Sequence, residues 1–336
     1  VLTDEQIQRM VYQEIKNESG KVRGTVIDKD IKDETAKETI DWTNLKAYYP
    51  MTDIVSYERT SDFSKYGNPM KLYNITSLQP QTAPMPYESI TDGDWTEEST
   101  WLHGDIWDIE DLHINFGSSV QNPEPWSIVK LHNNVTTSMS HRNLGLFVDP
   151  NKTFTVNGNN SVSNSWYLEL NGTLDLASDS QLVQGINSDL VTSANGKVAR
   201  RQFGNSNVFR YTYMSSPVGA TAATTLIDNN TAANNPNNTA FTFNTLKEGN
   251  GSPIQFTNAY NEVGKLSTRW MYTFLNGITY YDWAHYGPTT ALNPGVGYIH
   301  KGTGNAGATQ EYLYEGKPNN GTILIAADDV NGDSAN

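Results

Sequence analysis

The sequence contains no cysteine, so disulfide bonds, zinc–thiolate centres and thiol nucleophiles are all excluded. It also has no run of about 18 consecutive apolar residues, the length that crosses a bilayer as a helix, so we expect no direct insertion into a membrane. Charged residues make up only 18% of the chain, with 23 Lys and Arg against 37 Asp and Glu. The net charge of −14 argues against a nucleic acid as partner, because a phosphate backbone is repelled by it.

Polar, turn-forming and aromatic residues take the place of the missing charges. Asn, Thr, Ser and Gly are abundant, and the chain has 18 Tyr and 8 Trp. Gly, Asn and Ser favour tight turns, whereas Thr and the aromatic residues favour half-exposed strands. This composition is typical of an all-β extracellular protein, although some secreted carbohydrate-active enzymes share it.

The most regular part of the chain, residues 91–200, repeats short apolar runs that turn residues separate. Three pairs of apolar centres lie about 20 residues apart, the length of one coil of a parallel β-helix or β-roll. These pairs are Leu146 with Leu168, Phe154 with Leu174, and Val162 with Leu182. Ser127–Leu131 predicts an earlier coil and Leu190–Val198 a later one. The alternative is a β-sandwich of short hairpins, because a repeat of two coils can arise by chance.

Changes in composition predict three parts of an all-β protein. Residues 1–88 form an N-terminal segment and extended linker, with a short helix predicted by the apolar spacing within Asp4–Glu14. Residues 89–200 form a short parallel β-helix or β-roll-like coil stack. Residues 201–336 form a β-sandwich-like domain that we expect to be truncated at its C-terminus, the chain being a piece of a longer protein.

Several short motifs follow one another over residues 89–325. They are Ser89–Trp95 with Ser99–Trp101, Trp126–Val129, Asn164–Leu168, Leu174–Leu176 with Ser180–Leu182, Tyr211–Gly219, Pro294–Tyr298 with Lys301–Gly304, and Gly316–Gly321. In this order they resemble a surface-protein or adhesin module of proteins that gliding, Bacteroidetes-type bacteria secrete by the type IX system. The chain departs from the module's Y-x-Y-W-S-S-P-V-G signature at Met214, which replaces the usual Trp.

The resemblance implies an extracellular, cell-surface location and export of the parent protein by the type IX secretion machinery. The motifs themselves indicate scaffold roles. Gly295 suits a positive φ between strands. Asn320–Gly321 predicts a hairpin turn between strands at Tyr312–Tyr314 and Ile323–Ile325.

Carboxylates are dense in one predicted loop. They are Asp92, Asp94, Glu97, Glu98, Asp105, Asp108, Glu110 and Asp111. A glycosidase needs two carboxyl groups at a defined separation, one with a raised pKa, whereas so many acids together favour a solvated acidic face. The six histidines show no metal-ligand spacing, and no nucleophile elbow or P-loop occurs. We therefore predict no catalytic residue and no enzymatic activity.

A second group of acids suggests calcium as the single candidate cofactor. Asp329, Asn331 and Asp333 take positions 1, 3 and 5 of a calcium-binding loop. The glycine of this loop is displaced, and the acid expected at position 12 lies past the last residue. A polar turn is the alternative.

Aromatic residues crowd into one segment of the C-terminal part. Trp270, Tyr272 and Phe274 alternate, which predicts that they share one face of a strand. Aromatic rings stack on sugars, so Trp270, Tyr281 and Trp283 are candidate contacts for an extracellular glycan or another surface ligand. The alternative is a core strand that packs against the coil stack.

The predicted function is a non-enzymatic cell-surface structural or adhesion module of a large secreted protein, in its most specific form a gliding-motility adhesin. One alternative is a carbohydrate-binding module of a secreted polysaccharide-degrading enzyme, which saturable glycan binding would favour. The second is a β-helix polysaccharide lyase or hydrolase, which turnover dependent on an acid between Asp92 and Asp111 would favour.

Overall fold

The computed structural model describes most of the chain beyond residue 87 and parts of the chain before it. The described residues are 17–18, 21–22, 31–32, 39–49, 59–62, 64–74, 87–102, 127–185, 188–220, 226–227, 238–321 and 323–325. Strands make up 44% and helices 6% of the structure, and no helix within the described residues reaches seven residues. The predicted all-β class is therefore confirmed, whereas the helix predicted within Asp4–Glu14 lies outside the described residues.

The chain divides into two units, Val1–Tyr87 and Glu88–Asn336. The first unit contains three antiparallel pairs, β1 with β2, β3 with β4, and β5 with β6. These strands are β1 (Asn17–Glu18), β2 (Lys21–Val22), β3 (Ile31–Lys32), β4 (Thr39–Ile40), β5 (Arg59–Thr60) and β6 (Met70–Lys71), with a 3₁₀ turn at Trp42–Asn44.

One carboxylate organises the loop between β5 and β6 in the first unit. Asp62 accepts backbone hydrogen bonds from Tyr48 at 2.9 Å, Ser64 at 2.8 Å and Asn68 at 2.9 Å. Desolvation acts to raise the pKa of Asp62, but these hydrogen bonds outweigh it and lower the pKa to about 2. This loop is thus held by an ionised side chain.

Short strands, most of them paired in parallel, build the coil stack of the second unit. They are β7 (Tyr87–Glu88), β8 (Gly93–Asp94), β9 (Ile128–Leu131), β10 (Val135–Thr137), β11 (His141–Val148), β12 (Thr153–Val156), β13 (Ser161–Leu170), β14 (Thr173–Leu176), β15 (Gln181–Gln184), β16 (Asp189–Thr192) and β17 (Lys197–Asn205), with a 3₁₀ turn at Glu98–Thr100. One sheet has the order β8–β10–β12–β14–β17, and the other has the order β9–β11–β13–β16, with β15 also paired to β13.

The register of this stack matches the spacing in the sequence. Each predicted pair of apolar centres is a pair of hydrogen-bonded neighbours in parallel strands, namely Leu146 with Leu168, Phe154 with Leu174, and Val162 with Leu182. The earlier and later coils also join it, through Val129 with Leu146 and Leu168 with Leu190. The β-solenoid-like stack of about three turns is confirmed, and the hairpin alternative is wrong for this part because the pairings are parallel.

Apolar side chains fill the interior of the stack. Burial alternates along β12 and β14, as the two-residue period of a strand requires. The fully buried side chains are Val129, Leu131, Val135, Leu146, Phe154, Val156, Val162, Leu168, Leu170, Leu174 and Leu190. Because burying one such side chain contributes about 1.5–3 kcal/mol, this column is the main source of stability of the stack.

Each end of the stack is closed in a different way. At the first coil, Trp95 stacks on His141 with ring centroids 4.0 Å apart and meets the edge of Trp101 at 5.0 Å. The indole of Trp101 donates a hydrogen bond to the Trp95 carbonyl oxygen at 2.8 Å. At the last coil, β16 and β17 receive antiparallel partners, which end the parallel register and cover strand edges that would otherwise recruit other chains.

The remaining strands extend and cover the stack. They are β18 (Tyr211–Ser215), β19 (Leu226–Ile227), β20 (Lys247–Glu248), β21 (Gln255–Thr257), β22 (Lys265–Ser267), β23 (Tyr272–Thr273), β24 (Ala284–His285), β25 (Gly297–Lys301) and β26 (Thr309–Gly316). Three 3₁₀ turns lie between them, at Phe243–Thr245, Thr268–Trp270 and Tyr280–Asp282. An antiparallel sheet of order β18–β25–β23–β24 is separate from the two stack sheets.

This four-stranded sheet packs face to face on the sheet formed by β17, β26 and β20. The hydroxyl groups of Tyr298 and Tyr314 lie 2.7 Å apart across the interface. A Cβ atom on Gly204 would lie 2.7 Å from the ring of Tyr312 and 3.1 Å from Met214, so only glycine allows the sheets to approach here. The two sheets enclose an aromatic layer, as in a β-sandwich. Strand β17 runs through residue 200 and belongs both to the coil stack and to the pair of facing sheets. The predicted domain boundary at residue 200 stays a prediction.

One local prediction is wrong. Asn320–Gly321 does not join two strands, because residues 323–325 form no strand and β26 already ends at Gly316. Instead Pro318 forms a bridge to Val218, and the Asn320 backbone N–H donates to the side chain of Asn238 at 2.7 Å. The expectation for Gly295 is confirmed, with φ at 82°.

Candidate functional site

The outward side of the four-stranded sheet carries an aromatic surface. Tyr213, Ile299 and Tyr272 are direct cross-strand neighbours, so their side chains share one side of the sheet. Tyr211 and Lys301 form the next pair along the same side. The intervening residues of these strands face the interior, since they include the fully buried His300. Tyr213 is 73% exposed, so this side faces solvent at β18, whereas Ile299 on the central strand is buried.

Two cations are interleaved with the rings. The ammonium nitrogen of Lys301 lies 3.5 Å from the ring centroid of Trp270 and 5.0 Å from that of Tyr211. The guanidinium of Arg269 lies 4.8 Å from the ring centroid of Tyr260, which is 6.0 Å from Trp270. Cation–π attraction thus orders one continuous strip of rings and positive charges. We call this strip and the tyrosines beside it the aromatic face, which comprises Tyr211, Tyr213, Tyr260, Arg269, Trp270, Tyr272, Ile299 and Lys301.

Electrostatics confirm how closely these groups lie together. Burial raises the pKa of Tyr211, and the nearby phenols of Tyr272, Tyr280 and Tyr213 raise it further. Burial lowers the pKa of Lys301, because the rings remove water from its ammonium group. The phenol groups of Tyr272, Tyr280 and Tyr213 therefore lie near enough to Tyr211 to affect its ionisation.

A short loop between β23 and β24 extends this surface. Thr279 caps the 3₁₀ turn at Tyr280–Asp282, and its backbone N–H donates to the Asp282 carboxylate at 2.6 Å. A further backbone hydrogen bond, from Ile278 at 2.8 Å, reaches the same carboxylate. These bonds lower the pKa of Asp282 and hold Tyr280 and Tyr281 at 82% and 91% exposure. The loop thus presents two rings to solvent on a fixed backbone.

The structure separates the three predicted stacking residues. Trp270 lies on the aromatic face, with its indole N–H donating to the Tyr260 carbonyl oxygen at 2.8 Å. Tyr281 projects from the loop, and the ring of Trp283 packs 4.9 Å from that of Phe274. The expectation that Trp270, Tyr272 and Phe274 share one strand face is wrong, because Trp270 ends a 3₁₀ turn and β23 spans only Tyr272–Thr273. Their contact with a glycan stays a prediction.

The sequence reasoning missed the residues that complete the face. Tyr211 and Tyr213 come from β18, Lys301 comes from β25, and Tyr260 comes from the turn between β21 and β22. The alternation of tyrosines around Thr212 was the available signal for β18. The signal for Lys301 was absent, since only the pairing of β25 with β18 brings its ammonium group to Tyr211.

The acidic segment contributes to structure where it is described. Asp92 accepts hydrogen bonds from the backbone and side chain of Asn134 at 2.9 and 3.1 Å, and these bonds lower its pKa. Burial acts to raise the pKa of Asp94, but hydrogen bonds from Thr96 and Thr136 make the net shift downward. A general acid needs a raised pKa, so both groups are poorly suited to that role. The acids from Asp105 to Asp111 lie outside the described residues.

Asp329, Asn331 and Asp333 all lie outside the described residues, and calcium binding there stays a prediction. Among the residues that are described, no group of three or more His, Asp or Glu side chains is arranged to hold a metal ion.

The coil stack carries two other polar features, a histidine between two carboxylates and a shallow polar depression. His132 lies between two carboxylates, 2.6 Å from Asp149 and 3.7 Å from Glu88. The carboxylate of Glu88 raises the pKa of His132 against the effect of burial, and the hydrogen-bonded carboxylate of Asp149 adds to it. A shallow depression of about 390 Å³ has a lining of Asn, Ser, Asp and Gln side chains and no aromatic ring. The aromatic face is the candidate site because it brings several rings and two cations together on one side of a sheet.

Comparison with protein-family models, with curated proteins and with solved structures finds no match to this chain. In the part of the chain that the structure describes, no helix is both long and apolar enough to cross a membrane.

Proposed function

We propose that this chain is a non-enzymatic, extracellular adhesion module of a larger cell-surface protein, and that its aromatic face binds a glycan. The observation that carries the proposal is the exposure of Tyr213 and Tyr260, at 73% and 67%, beside Trp270 on one side of a sheet. Large contiguous apolar surfaces on soluble proteins commonly mark sites of interaction. Rings with polar hydroxyl tips suit sugars, which present both C–H faces and hydroxyl groups.

The coil stack supports the structural half of this proposal. Each coil adds to a continuous column of buried side chains and hydrogen-bonded strands, which makes a stack of this kind stiff along its axis. A stiff support with a binding face on an attached sheet is suited to adhesion. Export by the type IX secretion machinery and a role in gliding motility rest on the motif resemblance alone.

The same aromatic face also favours a second candidate, a carbohydrate-binding module of a secreted polysaccharide-degrading enzyme. Both candidates require glycan binding without turnover by this chain. They differ in what the longer protein contains, so detection of polysaccharide cleavage by the full-length protein would favour the second.

The test is a glycan array followed by calorimetry, with wild type, Tyr213→Ala and a matched control, Tyr73→Ala. Tyr73 is 74% exposed, nearly the same as Tyr213, but it lies in the first unit. Because loss of one stacked ring costs about 1–3 kcal/mol, we expect Tyr213→Ala to weaken binding at least tenfold and Tyr73→Ala to leave it unchanged.

The proposal is contradicted if no glycan on the array binds saturably. It is also contradicted if Tyr213→Ala and Tyr73→Ala weaken glycan binding equally. Running each measurement with calcium and again with a chelator also tests the predicted site at Asp329, Asn331 and Asp333. If calcium binds there, we expect the melting temperature of the protein to be lower with the chelator than with calcium.

A further inference from the structure

The aromatic face carries positive charge that forms no ion pair with any carboxylate in the described part of the chain. Elsewhere in the described part of the second unit, four Lys and Arg side chains form ion pairs with carboxylates. These pairs are Lys197 and Lys247 with Glu315, Arg201 with Asp175, and Lys265 with Glu262. Lys301 and Arg269 form none with any described residue. Arg142 and Arg210 also form no ion pair with a described residue, so the distinguishing feature of Lys301 and Arg269 is their position against aromatic rings on one surface.

The rings position the Lys301 ammonium group without neutralising it. Trp270 and Tyr211 contact it at 3.5 and 5.0 Å from their ring centroids, and neither ring provides a counter-charge. This arrangement restricts a side chain that would otherwise be mobile, so less conformational entropy is lost when an anion binds. Its N–H groups that point away from the rings remain available as donors.

Arg269 is positioned in a similar way. Its Nε–H donates to the Asn258 carbonyl oxygen at 2.6 Å, and its guanidinium lies over Tyr260. These contacts leave the terminal nitrogens of an exposed side chain free to form paired hydrogen bonds with two oxygens of one anionic group. The acids nearest in sequence do not compete, because Glu262 pairs with Lys265 and Asp282 accepts backbone hydrogen bonds within its own turn.

We propose that the glycan bound by the aromatic face is acidic, with carboxylate or sulfate groups on its sugars that pair with Lys301 and Arg269. This inference rests on the proposed glycan-binding function and specifies its ligand class. The rings contact the sugar faces, and the two cations select the acidic groups. The net charge of −14 does not prevent this, because at physiological ionic strength charges beyond about 8 Å are largely screened.

The experiment compares three oligosaccharides of equal length by calorimetry at one fixed salt concentration. They are an oligogalacturonate, its carboxyl-reduced neutral form and a sulfated galactan fragment. We expect at least tenfold tighter binding of one or both acidic ligands than of the neutral one. The acidic ligand that binds more tightly shows whether a carboxylate or a sulfate is the group recognised.

Variants connect that preference to the two cations. We expect Lys301→Gln and Arg269→Gln each to weaken acidic binding at least fivefold with little effect on the neutral form. Lys301→Arg should restore most of the affinity because it keeps the charge. Lys265→Gln is the control, since it removes a nearby cation that already has a partner. Arg269 is exposed, so its variant tests the proposal even if Lys301→Gln lowers the melting temperature.

The outcomes separate this inference from the function on which it rests. Equal affinity for acidic and neutral ligands, with both still lost in Tyr213→Ala, overturns acidic selectivity and leaves glycan binding in place. Unchanged acidic binding in both glutamine variants overturns the role of the two cations. No binding of any ligand overturns both proposals.

Discussion

His300 is a fully buried histidine in the aromatic layer between the two facing sheets. Its ring lies 5.1 Å from that of Tyr312 and 5.7 Å from that of Phe243. Burial lowers its pKa to about 4, because protonation would place a charge where water cannot reach it. At this position the fold therefore holds a neutral imidazole, whereas the unfolded chain takes up a proton near pH 6.5.

This difference predicts loss of stability in acid. Between pH 6.5 and 4 the unfolded state binds more protons at this position than the folded state, so the free energy of unfolding falls as the pH falls, by up to roughly 3 kcal/mol. We expect His300→Phe to remove much of that dependence. The measurement is urea unfolding at pH 7 and pH 4.5, with His285→Gln as the control because His285 is exposed. An unchanged pH dependence in His300→Phe contradicts the assignment.

His132 acts in the opposite direction. Glu88 and Asp149 raise its pKa, so its contribution to stability is present below about pH 6.5 and is lost as the pH rises through its folded-state value. Since His132 is nearly half exposed, solvent screens these interactions. The buried His300 is therefore expected to dominate the acid response.

At the scale of elements, a buried lysine connects the last coil to the end of β26. The ammonium group of Lys317 donates to the carbonyl oxygens of Ser193, Ala194 and Gly196 in the turn between β16 and β17. Burial lowers its pKa to about 8. One side chain thus satisfies three carbonyl groups of a turn that has no strand partner for them.

We expect Lys317→Met to lower the free energy of unfolding by about 1–3 kcal/mol, because it removes the ammonium donor from the carbonyl oxygen of the buried Gly196. The matched variant Lys265→Met removes a surface ion pair and should cost less than about 1 kcal/mol. Equilibrium unfolding of both variants at pH 7 makes the comparison. A Lys317→Met protein as stable as wild type would show that water replaces the ammonium group.

At the scale of the whole second unit, the buried column of the coil stack holds the fold together. Leu168 is fully buried and pairs with Leu146 on one side and Leu190 on the other. Leu168→Ala should cost about 2–5 kcal/mol, because it leaves a cavity between three coils that cannot close easily. Val183→Ala, at a position 45% exposed on the same stack, should cost much less.

Chemical unfolding followed by circular dichroism measures both of these variants. Because β17 belongs to both the stack and the sheet that faces β25, we expect Leu168→Ala to shift the transition of the aromatic layer as well. The near-ultraviolet circular dichroism of the aromatic layer could instead keep its wild-type midpoint. That result would mean that the coil stack and the aromatic layer unfold independently.

The repeat of the stack was predictable because it depends on a regular spacing along the chain. An inward apolar residue recurs about every 20 positions, and any stack that buries all of these residues must place Phe154 beside Leu174. The conformation at Asn320–Gly321 was not predictable from its two residues, because Val218 and Asn238 provide tertiary partners for this segment in place of a hairpin.

The sequence by itself determined the all-β class, the coil stack and the presence of aromatic residues suited to sugars, because each depends on composition or on a local period. Only the tertiary structure decided which aromatic residues face solvent together. Tyr213, Trp270 and Lys301 come from separate segments, and the antiparallel register of β18, β25 and β23 brings them to one side of a sheet. Cross-strand register is a long-range property, and it decides which rings and charges a glycan meets.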